Sequence, residues 1–235
     1  MKRISKTRAP HSYLKWCKLV RGTQDEDYRR LQNPEKADLH RKLLEEQGWL
    51  CAYTMKSINE ENSHIEHIKP ESLCRADLVG SDLDYNNMIA CFPLIGMNRQ
   101  FRYGAQKKAD WWEKDGIEFI SPLNPACENY FHFDLKGNIT PVINSEAANT
   151  TINVLSLDHP SLTEEREMAI NGFIYGSGDK PLSKPKTIQA LQTICTKDRE
   201  GRFYGFCIVV RDALQHHLKI LEKIEQKKKF SCRRT

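Results

Sequence analysis

Three short runs near the middle of the chain hold residue types able to hydrolyse a phosphodiester: His64-Ile65-Glu66-His67-Ile68-Lys69-Pro70, Asp84-Tyr85-Asn86-Asn87-Met88-Ile89-Ala90-Cys91 and Asn98-Arg99-Gln100. Water attacking phosphorus must lose a proton, so a base is needed within hydrogen-bond reach. Charge builds on the phosphoryl and leaving oxygens, so a cation must sit beside them. Magnesium wants hard oxygen ligands and typically takes only one or two carboxylates, keeping other positions for water and phosphate. Glu66, His67 and Asn98 meet these needs. His67 is the candidate base, because an imidazole is readily neutral and accepting near pH 7. Glu66 offers the carboxylate and Asn98 a side-chain carbonyl. On an ideal strand, Glu66 and His67 point to opposite faces. They converge only if the strand ends or bulges there, and Lys69-Pro70 is the expected terminator.

Neighbouring residues extend the set. His64 shares Glu66's face on an extended strand and reads equally as a further metal ligand, a phosphate contact or a surface histidine. Arg99 and Arg102, on the first turns after Asn98, suit nucleic-acid phosphates, and Lys107 and Lys108 continue that basic run. Lys69 is a candidate contact to the scissile phosphate, with plain solvation as the alternative. A Glu-His pair alone is expected by chance about once in such a chain. Adding Pro70 and two asparagines at loosely fixed distances lowers that to roughly one in several hundred.

These residues must be held by elements whose signals are legible. After Pro10, Tyr13, Trp16, Cys17 and Val20 recur at helical spacing. A second helix is expected over about 34–47, with Pro34 at its start, Leu39, Leu43 and Leu44 on one face and Gly48 at its stop. From Trp49 to Asn98 short β-like runs alternate with polar loops. A basic helix is expected from about Arg99 to Trp112. Tyr130–Asp134 and Ile139–Ile143 flank Leu-Lys-Gly-Asn and read as a β-hairpin. Ser161 with Glu164 forms a capping-box pattern before a helix carrying Met168 and Ile170, and Asp158-His159-Pro160 reads as its entry turn. Gly176–Pro185 reads as a loop. A last helix over about 206–228 carries a stripe of Cys207, Val210, Leu214, His217, Leu221 and Ile224, suited to packing within the chain or on a partner.

The chain has 235 residues, 39% hydrophobic and 29% charged, a globular balance. No apolar run approaches the roughly 20 residues of a membrane span. The N-terminal charge is not followed by the apolar stretch of a signal peptide, so the expected location is the cytoplasm. Eight cysteines form no CxxC pair and read as reduced thiols. The net charge of +5 is concentrated in the first twenty-two residues, in Arg99–Lys108 and at the C-terminus, as suits phosphate backbones.

The central runs resemble the HNH nucleases, whose ββα-metal core reads D/E-H-I-x-P, then an Asn before an apolar strand, then an Asn or His opening a helix. On that resemblance His67 matches the general base, Glu66 the metal-binding acid and Asn98 the final ligand. Asn87, before Met88-Ile89-Ala90, matches the middle Asn that braces the loop and orients the base, and Asn86 is its alternative. More widely, LLEEQGWLCAYT, IEHIKP, YNNMIACFP and FISPLNPACENYFHFDLKGNITP look like the HNH proteins of Septu-type and retron-associated antiphage systems, the PtuB family. The likeness covers most of the chain to about Arg166. It implies an ATPase partner of the ABC or SMC type and, in retron versions, a reverse transcriptase with its DNA product. Many HNH modules also hold zinc on two CxxC pairs. Here those positions are Cys51/Thr54 and Cys91/Leu94, so no structural zinc is expected and Cys51 is expected to pack on Cys91.

The sequence therefore predicts an α+β protein with a ββα-metal core inside a largely helical chain. Its expected parts are a basic helical arm (1–48), a nuclease core (49–108) and a C-terminal hairpin-plus-helix region (109–235). The expected activity is Mg²⁺- or Mn²⁺-dependent hydrolysis of nucleic acid, DNA favoured, with 5′-phosphate products. The rivals are an RNase acting on structured RNA such as tRNA, a catalytically silent adaptor, and an enzyme inert until its partner releases it.

Overall fold

The computed structural model describes residues 1–94, 96, 101–142, 145–176, 178 and 180–231. Two helices come first. Helix α1 (His11–Val20) buries Tyr13 and Val20, and α2 (Glu35–Glu46) buries Leu39, Leu43 and Leu44, the face its sequence predicts. Helix α2 ends where Gly48 turns left-handed at φ 59°. A Cβ there would lie 2.3 Å from the Phe203 ring, so only glycine fits both the turn and the contact.

Strand β1 (His64–His67) pairs antiparallel with β2 (Met88–Cys91), in the register His64↔Cys91, Ile65↔Ala90, Glu66↔Ile89 and His67↔Met88. The segment joining them is not simple loop. It holds helix α3 (Glu71–Asp77) and two 3-10 turns, Ser81–Leu83 and Tyr85–Asn87. The basic helix expected from Arg99 to Trp112 is, among the described residues, a single turn, α4 (Ala105–Lys108). Gly104 and Ala109 bound it with positive φ, 68° and 44°, a backbone that a continuing helix cannot contain.

The second sheet pairs β3 (Phe131–Phe133) with β4 (Ile139–Pro141). Its turn is closed by Asp134, whose carboxylate accepts from the Lys136 and Asn138 amides. Four helices follow: α5 (Glu146–Leu155), α6 (Pro160–Ile174), α7 (Lys184–Thr193) and α8 (Cys207–Ser231). Helix α6 is capped two residues before the expected Ser161. His159 is the cap, its Nδ1 accepting from the Ser161 amide, and Pro160 takes the first turn.

One hydrophobic cluster runs from Met1 to Leu214, through both sheets and most helices. In α8 the residues Cys207, Val210 and Leu214 of the expected stripe are buried in it, and His217 Nε2 donates to the Leu182 carbonyl at 2.9 Å. Ile224, at the far end of the stripe, is exposed. Among the described residues no helix is long and apolar enough to cross a membrane.

Candidate active site

Strand β1 alternates, with His64 and Glu66 half-buried and Ile65 and His67 buried. It ends at His67, and Glu66 and His67 line the same cavity of about 720 Å³. His64 lines it too, together with Tyr28 and with Lys36, His40 and Arg41 of α2. The turn of the chain toward α3 follows from Pro70, whose φ of −52° and ψ of 140° direct it out of the strand and into the helix.

His67 is held from several sides. Its Nε2 lies 2.8 Å from the Asp82 carbonyl oxygen. A carbonyl can only accept, so Nε2 carries the proton and Nδ1 keeps its lone pair in the neutral ring. Burial disfavours the imidazolium and sets the His67 pKa below the usual histidine value, although the Asp82 carbonyl and the Glu71 and Glu66 carboxylates pull the other way. The Tyr28 ring packs edge-on against the imidazole, with centroids 4.6 Å apart. The Asp82 carboxylate in turn accepts from the Tyr28 amide at 2.9 Å and lies 3.5 Å from Arg75 Nη1. Asp27, Glu71 and Asp82 stand close enough to share one cation, but Arg75 reaches all three and supplies the positive charge there.

Asn87 acts on the strand's exit. Its Oδ1 accepts from the Lys69 amide at 2.8 Å and its Nδ2 donates to the Lys69 carbonyl at 2.9 Å. Its own carbonyl accepts from the Ile68 amide at 2.9 Å. One asparagine thus fixes the backbone directly after the candidate base.

His64 and Glu66 form the second half of the site. His64 Nδ1 donates to the Pro93 carbonyl, leaving Nε2 3.4 Å from Glu66 Oε2. Burial works to lower the His64 pKa, but Glu66 and the Pro93 carbonyl outweigh it and leave it raised. Either a proton or a metal ion would satisfy this pair. An imidazole nitrogen and a carboxylate oxygen at that spacing fit as neighbouring ligands of one divalent cation. The third expected ligand, Asn98, and the adjacent Arg99 lie outside the described residues.

The basic residues divide. Arg102 and Lys107 are exposed. Lys69 is absent from the cavity lining and pairs with Asp77. Lys108 departs from the expected surface contact with phosphate: its side chain is fully buried, and Nζ lies 3.4 Å from Glu66 Oε1 and 3.3 Å from the His67 carbonyl. In the N-terminal arm Lys2 and Lys6 pair with Glu128 and Glu46, while Arg8, Lys15, Lys18 and Arg21 are exposed.

Behind the site, β2 is fully buried and braced. Buried Gln47 donates to the Leu50 and Ala90 carbonyls at 2.7 and 2.8 Å, and its Oε1 accepts from the Ala90 amide at 2.7 Å. The Ala52 amide also donates to the Ala90 carbonyl, and Lys6 Nζ donates to that of Met88. Cys51 and Cys91 are buried free thiols lying together. Burial would raise the Cys51 pKa, but hydrogen bonds from Cys91, Thr54 and the Phe92 amide bring it down to about 6.

Sequence reasoning did not foresee Tyr28, Asp82, Gln47 or the cavity wall made by α2. Apart from the bond of Gln47 to Leu50, their contacts reach partners 15 to 54 positions away, as for His67–Asp82 and Tyr28–Asp82, and leave no local pattern.

No protein-family model matches the chain. Over 134 residues it is 34% identical to a protein of Vibrio cholerae serotype O1 biovar El Tor named "Retron Vc95 putative HNH endonuclease". The match takes in 55% of this chain and 62% of that relative, so the chain spans less than two thirds of its length.

Proposed function

We propose that the chain is a metal-dependent endonuclease of the HNH type, acting on nucleic acid as the effector of a retron- or Septu-like antiphage system. The observation that carries the reading is the paired arrangement on β1. A neutral imidazole with its Nε2–H anchored on a carbonyl shares one cavity with a converging histidine–carboxylate pair. The relative's printed name supports the same chemistry and the retron setting.

In this reading His67 Nδ1 takes the proton from the attacking water, and the Asp82 carbonyl holds the ring and steadies the imidazolium that forms. Asn87 keeps the Lys69 backbone, and with it the end of β1, in place. His64 and Glu66, with Asn98 as the expected third ligand, would hold the metal. When bound, it would offset charge on the phosphoryl and leaving oxygens. Mg²⁺ suits the oxygen donors, and the His64 nitrogen makes Mn²⁺ or another transition ion at least as good a candidate. Arg99, Arg102 and Lys107 are the proposed contacts to neighbouring phosphates. DNA is the favoured polymer, and an ABC- or SMC-type ATPase is the partner that the resemblance implies.

The test is cleavage of labelled dsDNA, ssDNA and tRNA with Mg²⁺ or Mn²⁺, comparing wild type with His67→Ala. Metal-dependent cleavage that the substitution lowers about 10²–10⁴-fold, with nucleic-acid binding retained, is expected. Cleavage by His67→Ala at the wild-type rate would remove His67 from the mechanism. Should the wild type be inactive alone, the assay is repeated with the ATPase, and inactivity there would favour the adaptor.

A further inference from the structure

The most unusual side chain near the site is the fully buried Lys108. Lysine is almost never fully buried unless its charge is paired. The ammonium lies 3.4 Å from Glu66 Oε1, 3.3 Å from the His67 carbonyl and 3.5 Å from that of Ala109. The one-turn helix α4, bounded by Gly104 and Ala109 at positive φ, delivers it there.

The two oxygens of Glu66 are thereby divided. Oε1 faces Lys108, and Oε2 faces His64 Nε2. Charges near the pair sum simply: Glu66 contributes −1, Lys108 +1, and a ligating His64 is neutral. Other lining carboxylates are partly spoken for, Glu60 by Arg41 and Glu71 by Arg75, while Asp110 is exposed. Affinity for a hard divalent cation rises with the negative charge of its ligands, and here the resident ammonium cancels it. A phosphodiester entering the cavity would restore one negative charge. Cation and strand would then each tighten the other's binding, as reciprocity of coupled sites requires.

We propose that Lys108 is a built-in counter-charge that keeps the Glu66–His64 site poorly loaded with divalent cation until a nucleic-acid phosphate arrives. Lys108 is a positioning residue here, acting through Glu66. The inference rests on the proposed metal-binding role of that pair.

The experiment is Mn²⁺ binding to the full chain, followed by titration calorimetry and by the paramagnetic signal of free Mn²⁺. It is made with and without a short single-stranded oligonucleotide, as DNA and as RNA. The oligonucleotide arm uses a His67→Ala background so that the strand stays intact. Expected is weak binding to the wild type and to His67→Ala, tightened about tenfold in the latter by either oligonucleotide. Lys108→Met should tighten binding without oligonucleotide about tenfold and remove most of the coupling. Lys108→Gln, which can still donate to the two carbonyls, should do the same and serves if the methionine variant does not fold. Glu66→Gln is the control for the underlying reading. If it leaves Mn²⁺ binding untouched, the metal site itself is misplaced. If Glu66→Gln abolishes binding but neither Lys108 variant binds Mn²⁺ more tightly than wild type, or the oligonucleotide does not tighten binding in the His67→Ala background, the counter-charge is overturned and the metal site stands.

Discussion

Among the described residues the molecule contains two sheets of the same minimal kind, each a pair of short antiparallel strands. The β3–β4 pair is an ordinary hairpin with one face in the core. Phe131 and Phe133 are buried, His132 is exposed, and a short turn closed by the Asp134 carboxylate joins the strands. Its tightest constraint is steric. Gly137 sits at φ 76°, and a Cβ there would lie 2.5 Å from the Thr163 carbonyl. The β1–β2 pair is joined instead by a long segment with its own helix, and every residue of β2 is buried. It is held by side chains bonding to backbone: Asn87 on Lys69, Gln47 on Ala90, and Lys6 on Met88. The pair that only fills space relies on shape, whereas the pair that carries the candidate carboxylate and the candidate base side by side is fixed through directional bonds.

Substitutions can break or sharpen this contrast. The largest effect expected is that of His67→Ala, which should lower the cleavage rate by about 10²–10⁴ and, because it also removes a buried ring bonded to the Asp82 carbonyl, cost about 1–3 kcal/mol of stability. Gln47→Leu should come next. It leaves the buried Ala90 amide and Leu50 carbonyl without their partner and should cost about 2–4 kcal/mol, lowering the melting temperature by about 5–15 °C. A melting temperature within a degree of wild type would show that the buried bracing is dispensable. Asn87→Ala should cost about 1–3 kcal/mol and slow cleavage about ten- to a hundredfold, since it frees the backbone next to the base. An activity loss without any stability loss would instead place Asn87 in contact with substrate. At the small end, Thr140→Ala on the exposed face of β4 should stay within about 0.5 kcal/mol of wild type and leave cleavage unchanged. A marked fall in activity there would mean that the second sheet also serves the site.

What the sequence disclosed follows from how local each signal is. The buried faces of α1 and α2 and the first half of α8 repeat every three or four residues, so one window reveals them. The Glu66-His67 pair with Pro70 and Asn87 could be picked out because its members lie within a few tens of residues of one another. Helix α3 escaped notice because seven residues give too few periods to recognise. Among the described residues the expected basic helix is one turn because Gly104 and Ala109 take backbones of positive φ, and nothing in the type of Ala109 announces that. Lys108 read as a surface cation because its run is basic. Only the packing shows that its ammonium turns inward to Glu66. The bond from His67 to a backbone carbonyl was illegible for a different reason, since every residue has a carbonyl.

The bracing of β2 also bears on how the chain behaves in a crowded solution. A two-stranded sheet ordinarily leaves outward-facing amides and carbonyls on which a strand from another molecule can dock, the first step of edge-to-edge aggregation. On β2 the Ala90 amide and carbonyl are taken by Gln47 and Ala52, and the Met88 carbonyl by Lys6. The strand that backs the candidate site is thereby closed to foreign strands.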